Sequence, residues 1–221
     1  MARKLAQVQP GKIAIIGSAR QTNEELYLLA RLAKKLGALT DSVPRSGPAD
    51  NLLLSADRNP NSNGAKITGI AAQPMGSNLP AIAEAIRAGK ITTLVVFGED
   101  VTQHGIAGEL LEKLELLVVS DILPNETTRR AHYLLPGCAH AEKRGTFVNG
   151  KGRVQKFMKA VEPPGQVRPE VEFLQDVVLD VIGKNGSHSI EGLFNTMASE
   201  LPPLNRLSWA TLGDTGKDAT L

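Results

Sequence analysis

The sequence predicts an α/β fold: a Rossmann-like parallel sheet with helices on both faces, followed by a β-hairpin and C-terminal helices. Three observations support this prediction. Short continuous apolar runs, typical of strands buried on both faces, recur along the first two thirds of the chain. Helical patterns alternate with these runs, and such alternation favours parallel strands. An Asn-Gly turn signal then separates two strand-like stretches near residue 150.

The first predicted unit, residues 1–40, is one strand and one helix. The run IAIIG at 13–17 reads as a buried strand. Thr22 followed by Glu25 forms a capping box, so we expect the helix to begin there. Gly37 follows the last apolar position at helical spacing and predicts the end of the helix.

Four further segments follow. Residues 41–78 are rich in Gly, Pro, Asn, Asp and Ser and are predicted to be a long polar loop. Residues 79–137 are predicted to be the α/β core. Helices are expected at AIAEAIRA and GIAGELLEKL, a short capped helix in PNETTRRA, and strands at TTLVVFGED, ELLVVSD and HYLLPG. Residues 138–168 carry the predicted hairpin. Residues 169–221 carry two helices, the second capped by Ser189, and a polar tail that we expect to fray.

Composition excludes several classes of protein. The chain has 221 residues, 42% hydrophobic, with a formal net charge of +2. That charge is too small to predict nucleic-acid binding by bulk electrostatics. No apolar run is long enough to span a membrane, and the first residues are not expected to be a secretory signal. The single cysteine, Cys138, excludes an internal disulfide and any iron–sulfur cluster held by this chain alone. The default compartment is cytoplasmic.

Polar groups follow several predicted strands, where a parallel sheet places its ligand crevice. GSARQTNEE joins a strand to a capped helix, whose N-terminus could hold an anion or simply form a βα turn. Gly98 would allow close backbone approach, and Glu99 and Asp100 could accept from ribose hydroxyls or a guanine edge. The alternative is a strand-end turn with exposed acids. Cys138 has histidines nearby but is interpreted as a buried packing residue, and no zinc-ligand spacing is present.

The stretch EKRGTFVNGKGRVQ, residues 142–155, combines three glycines with many hydrogen-bonding groups. It could be a plain hairpin at a domain edge. It could also be a ligand loop in which Thr146 and Asn149 orient a polar heterocycle and Arg153 meets a phosphate or carboxylate. Local sequence leaves both alternatives open.

A family resemblance covers about 75 residues of this region. The ordered series LVVFGED, ELLVVSD, ETT, AHYLLPG, EKRGTFVNGKGRVQ and PPG resembles the molybdopterin oxidoreductase superfamily. Upstream, NEELYLLARLAKKLGA and NPNSNGAKITG are similar to it as well. Within the superfamily, the Asn-rich loop and LPPLNRLSWATLG most resemble the G subunit of NADH-quinone oxidoreductase.

The resemblance implies which residues belong to a pterin–guanine dinucleotide site. They are the groups at strand ends and on the family motifs: Gly98, Glu99, Asp121, Thr127, Thr128, Leu135, Pro136, Glu142, Gly145, Thr146, Asn149, Gly152, Arg153 and Gln155. Two positions depart from the family pattern. His132 and Lys151 stand where relatives carry a carboxylate, so the implied crevice is partial or vestigial. No residue is implied as catalytic or as a metal ligand.

The resemblance also implies a function. The chain would be a mainly structural part of an electron-transfer oxidoreductase subunit, inactive alone, at the cytoplasmic side or peripheral to the inner face of the plasma membrane through a complex. Its partners would be other subunits and a Cys-rich N-terminal half, on the same chain or another, so the chain is a fragment or a split subunit. One alternative is the molybdopterin guanine dinucleotide-binding half of a split molybdoenzyme. Another is an unrelated nucleotide-binding α/β module, such as the middle domain of a thiamine-dependent enzyme.

Overall fold

The computed structural model describes residues 1–50, 52–183 and 189–220. Its centre is a five-stranded sheet in which every neighbouring pair is parallel, in the order β2-β1-β3-β4-β5. The strands are β1 (Ile13–Gly17), β2 (Leu39–Asp41), β3 (Thr93–Phe97), β4 (Leu116–Asp121) and β5 (Tyr133–Pro136). A second, antiparallel sheet contains β6 (Gly145–Val148), β7 (Arg153–Phe157) and β8 (Lys217–Asp218). The predicted fold class is confirmed.

Helices cover both faces of the parallel sheet. They are α1 (Ala2–Ala6), α2 (Asn23–Leu36), α3 (Ser62–Thr68), α4 (Leu79–Arg87), α5 (Gly108–Leu111), α6 (Glu170–Ile182) and α7 (Ile190–Glu200). The strand side chains alternate between two apolar layers. Ile13 and Ile15 join the layer beneath α2, α6 and α7, whereas Ala14 and Ile16 join the layer beneath α4 and α5. No described helix has the length and apolarity needed to cross a bilayer.

Helix α2 has the ends that the sequence predicts. The Thr22 hydroxyl accepts from the backbone N–H of Glu25 (3.2 Å), and the Glu25 carboxylate accepts from that of Thr22 (2.9 Å). Gly37 ends the helix in the left-handed region, with φ of 60°. Ser189 caps α7 through the N–H of Gly192, also as predicted. These caps satisfy backbone groups that would otherwise lack partners at the helix ends.

The polar segment 41–78 is more ordered than a simple loop, and this corrects the prediction. Its organiser is the buried carboxylate of Asp41, which accepts from the backbone N–H groups of Ala72, Gly76 and Asn78 at 2.7–3.1 Å. Helix α3 lies within the segment. Its sequence, SNGAKIT, shows no apolar periodicity, so the pattern alone did not predict a helix. The helix is stabilised instead by packing against α2 and the hairpin.

Two other predictions differ from the structure. The second crossover helix, predicted over GIAGELLEKL, is only the single turn α5, preceded by a 3₁₀ turn at Val101–His104. The tail is ordered as far as Asp218 and is not frayed there, because β8 pairs with β7 and the Asp218 carboxylate accepts a hydrogen bond from Arg153. The hairpin and α7 share the apolar layer under α2, and the five-segment division of the chain stays a prediction.

Gly64 of α3 offers a test of this packing. In Gly64→Ala the new methyl would lie 2.0 Å from the Asn23 amide oxygen and 2.3 Å from that of Asn61. Both side chains are buried and hold the hairpin, so overpacking should lower the free energy of unfolding by about 1–3 kcal/mol, although alanine normally favours helices.

Urea denaturation would measure this change. Gly150→Ala is the control, because no heavy atom lies within 4 Å of its new methyl and we expect almost no change. A Gly64→Ala variant as stable as the wild type would contradict the packing described here.

Candidate functional site

A crevice of about 400 Å³ lies beyond the carboxyl ends of the parallel strands. Polar lining groups come from the segments after β1, β4 and β5 and from the start of α6: Arg20, Gln21, Asp121, His140, Lys143 and Glu170. Apolar contacts come from Ile122, Cys138 and Phe147. A cavity of about 510 Å³ lies at the opposite, amino edge of the sheet. We assign the site to the carboxyl edge, where open parallel sheets bind their ligands.

Gly98 directly follows β3 and lines the crevice. Its φ of 70° lies in the left-handed region, which favours glycine. A side chain there would meet the Gln21 amide nitrogen at 3.0 Å and Ser18 Cβ at 3.1 Å. The Arg20 guanidinium donates to the Gly98 carbonyl and leaves half of its side chain exposed. Glycine is therefore required at position 98 by its backbone conformation and by the close packing of Gln21 and Ser18.

Glu99 faces inward rather than into the crevice. It is fully buried, and both its carboxylate oxygens accept from the guanidinium of Arg45. Arg20 lies 3.6 Å from the same carboxylate. Asp100, the next residue, accepts from the hydroxyls of Thr102 and the buried Thr127 at 2.7 and 2.8 Å. The two acids fix neighbouring loops, so the structure does not bring Glu99 or Thr127 to the crevice surface.

Asp121 ends β4 and does line the crevice. One carboxylate oxygen accepts from the N–H of Ile122 (2.7 Å) and the other from the Asn125 side chain (2.8 Å). These bonds fix the carboxylate while leaving acceptor capacity, since each oxygen has two lone pairs. Asp121 can therefore accept from N–H or O–H groups of a ligand.

Lys143 is the centre of a buried polar hub formed with Gln21, Glu25 and Glu170. Only 3% of its side chain is exposed, and Nζ lies 3.0 Å from both carboxylates and 3.1 Å from the Gln21 amide oxygen. Burial would lower the pKa of Lys143, but the two carboxylates outweigh it and raise the pKa. Burial, with the charge of Glu25, raises the pKa of Glu170 to about 7. The hub joins the hairpin segment to the N-terminal ends of α2 and α6.

Cys138 is a buried side chain beside this hub, as predicted. Burial, followed by the charge of Glu170, raises the pKa of its thiol to about 12. A thiol with so high a pKa is almost entirely protonated at neutral pH, so it is a poor nucleophile. The structure therefore supports the packing interpretation.

Gly145 and Thr146 attach the hairpin to α2. The Thr146 backbone N–H and hydroxyl donate to the two carboxylate oxygens of Glu24 at 2.9 and 2.8 Å. Gly145 is required by this close approach, because a Cβ would lie 2.6 Å from Thr22. The N-terminus of α2 is thus covered by acids and the hairpin of the same chain. Of the two alternatives for GSARQTNEE, the geometry favours the βα turn over a free anion site.

Asn149, Gly152 and Arg153 organise the hairpin turn and the tail. The Asn149 side chain accepts from the N–H groups of Lys151 and Arg153 at 2.9 and 3.0 Å, and Gly152 has a φ of 84°. Arg153 donates to Asp218 at 3.0 Å, so it meets a carboxylate of its own chain. Glu142 accepts from the N–H of Ala139 at 2.8 Å. Asn149, Gly152, Arg153 and Glu142 all lie outside the crevice lining.

The two departures from the family pattern also lie away from the crevice. The His132 ring accepts from the N–H of Leu117 (2.8 Å) at the start of β5. Lys151 is exposed at the tip of the hairpin. Neither side chain reaches the crevice lining, so the substitutions do not place a positive charge in it.

Sequence reasoning identified Gly98 and Asp121 of the lining and did not name Arg20, Gln21, Lys143 or Glu170 individually as site residues. Arg20 and Gln21 lie within GSARQTNEE, the stretch considered above as a possible anion site, and this was the available signal for them. Lys143 and Glu170 are single charged residues whose burial no periodicity reveals. Within the described ranges, no three or more His, Cys, Asp or Glu side chains group as a metal site would require.

Comparisons with known proteins extend this picture. The family model described as molybdopterin oxidoreductase matches residues 12–178. The NADPH-Fe(3+) oxidoreductase subunit alpha of Geobacter sulfurreducens is 35% identical over 149 residues, 66% of this chain and 17% of that protein. The F420-dependent formate dehydrogenase 2 subunit alpha of Methanococcus maripaludis is 34% identical over 108 residues, 48% of this chain and 16% of that protein.

The G subunit of NADH-quinone oxidoreductase from Streptomyces coelicolor is 30% identical over 175 residues, 75% of this chain and 20% of that protein. The chain therefore spans about a fifth or less of the length of these relatives. The resemblance read from the motifs is confirmed, and the unrelated nucleotide-binding module is excluded.

Glu24, which holds the hairpin, predicts a pH dependence of stability. Burial raises its pKa from 4.5 to about 7. Because folding raises this pKa, the protonated carboxyl group of Glu24 contributes to the stability of the folded state. This contribution is fully present below pH 4.5 and is lost as the pH rises through about 7. Between about pH 5 and 8 the wild type should therefore lose more unfolding free energy than Glu24→Gln, by up to about 3 kcal/mol.

Chemical denaturation at several pH values would measure this difference. Glu84→Gln, at an exposed carboxylate of α4, is the control and should run parallel to the wild type. Parallel curves for the wild type and Glu24→Gln would show that Glu24 does not titrate as a buried acid.

Proposed function

The chain belongs to the molybdopterin oxidoreductase family, and we propose that it is the part of an electron-transfer subunit that holds the nucleotide portion of a molybdopterin guanine dinucleotide. The observation that carries this proposal is the convergence of complementary groups in one crevice. Arg20 and Asp121 bring a cationic donor and a carboxylate acceptor to the carboxyl edge of the sheet, on either side of Gly98.

The crevice residues fit a purine nucleotide chemically. The Asp121 carboxylate suits the N–H donors on a guanine edge, and Arg20 suits a phosphate. Phe147 and Ile122 offer apolar surface for a ring. The volume of about 400 Å³ is at the low end for small-ligand sites, which supports binding of part of a dinucleotide rather than the whole. When bound, the cofactor would supply the redox chemistry, and this chain would supply binding and orientation.

A mainly structural role is the second candidate, and it too has a specific observation in its favour. Thr127, Glu142, Thr146, Asn149 and Arg153 satisfy hydrogen bonds inside the chain rather than facing the crevice. A fold that keeps the family motifs for internal bonds could keep them without any ligand. Against this, His132 and Lys151, the substitutions that suggested a vestigial site, lie outside the crevice.

Partners and location follow from the same proposal. The relatives named above are subunits, and the chain matches only a small part of each. We infer that it acts with other subunits and with a Cys-rich N-terminal portion, on the same chain or another, and is inactive alone. A cytoplasmic location, peripheral to the membrane through such a complex, fits this role.

Binding of GDP, as the nucleotide portion alone, tests the proposal. We expect measurable binding by isothermal titration calorimetry and a loss of about tenfold or more in affinity for Arg20→Ala, because a charge-assisted hydrogen bond is removed. Two controls should bind like the wild type: Lys34→Ala, exposed in the last turn of α2, and Arg153→Ala, whose partner is Asp218. A folded wild-type chain that does not bind GDP would favour the structural role.

A further inference from the structure

We propose that Gln21 binds the crevice ligand, its side-chain amide donating a hydrogen bond to a phosphate oxygen, and that Lys143 positions this amide. The inference rests on the proposed nucleotide-binding function. It adds a binding residue that the sequence did not identify individually, although Gln21 lies within the stretch GSARQTNEE, and it gives the buried lysine a function beyond holding the hairpin.

The orientation of the amide follows from its neighbour. Lys143 Nζ lies 3.1 Å from the Gln21 amide oxygen. An ammonium group only donates, so the oxygen of Gln21 must face Lys143 and the NH₂ group must point the other way. That direction is toward Gly98, whose Cβ position would lie 3.0 Å from the nitrogen. The amide nitrogen is thus held against Gly98 on the wall of the crevice.

The amide donor has no acceptor within the described residues, although Gln21 is only 5% exposed. Its nitrogen is not sealed inside the protein, because Gln21 lines the crevice. The donor therefore faces the crevice, where a bound ligand can supply its acceptor.

The donor groups beside Gly98 suit an anionic oxygen as that acceptor. Arg20 donates to the carbonyl of Gly98, and the Gln21 amide nitrogen packs against the same residue. The positive charge of Lys143, behind the amide, is balanced by Glu25 and Glu170, and Arg20 lies 3.6 Å from Glu99, so the hydrogen-bond donors rather than a net positive charge define the site. A guanidinium and an amide donor converging beside a glycine suit the oxygens of a phosphate.

Gln21→Glu is the decisive variant. It keeps the length of the side chain and an oxygen for Lys143, but it replaces the donor with an acceptor. We expect GDP affinity by isothermal titration calorimetry to fall at least about tenfold, while guanosine, which lacks the phosphates, should lose much less. Gln7→Glu makes the same charge change at an exposed site on the amino edge of the sheet and should bind both probes like the wild type.

Two results would overturn these proposals. Wild-type affinity for GDP in folded Gln21→Glu would overturn the role of Gln21 and leave the proposed function standing. Failure of the wild type itself to bind GDP would overturn both. If Gln21→Glu does not fold, Gln21→Met removes the donor without adding charge and carries the same expectation.

The positioning role of Lys143 needs a readout that a purely structural role would not change. The triple variant Lys143→Met/Glu25→Gln/Glu170→Gln removes the lysine without leaving either carboxylate as an unpaired buried charge. We expect it to lose the preference for GDP over guanosine, and we expect Lys143→Arg alone to keep part of that preference. Equal weakening of both probes in the triple variant would show that Lys143 only supports the fold.

Discussion

A single buried cation holds the site together. Lys143 reaches Glu25 near the start of α2, Glu170 at the start of α6 and the amide of Gln21 on the crevice wall. Its own backbone leads into β6, so one ammonium group connects two helices, a hairpin and a ligand surface. Removing one partner of such a buried pair typically costs about 3–5 kcal/mol, because the other charge is left without compensation. The geometry of the crevice therefore depends on this contact.

The family hairpin serves the site indirectly. Thr146 holds α2 through Glu24, Asn149 closes the turn, and Arg153 retains the tail. From the same stretch, Lys143 and Phe147 line the crevice. This explains how most of the polar groups in this stretch can be specific to a fold without touching a ligand. The hairpin determines the position of Lys143, and Lys143 orients the side-chain amide of Gln21, which faces the crevice.

The sequence could predict the parts of the molecule that repeat a physical pattern. Continuous apolar runs predicted four of the five parallel strands, and the capping box predicted the start of α2. The missed strand, Leu39–Asp41, has only three residues and carries no such run. Single long-range ion pairs are harder still. The Arg45–Glu99 pair joins residues 54 positions apart, and neither position differs in sequence from an ordinary exposed charge.

The sequence separation of the hairpin contacts has a consequence for how the crevice assembles during folding. Lys143 and Glu25 are 118 positions apart, and Thr146 and Glu24 are 122 apart. The β1–β3 pairing in the sheet is also non-local, and the entropy of loop closure grows only slowly with loop length. The sheet and the crevice wall therefore depend on contacts of comparable range, so we expect the wall to form and unfold together with the sheet rather than as a separate local unit.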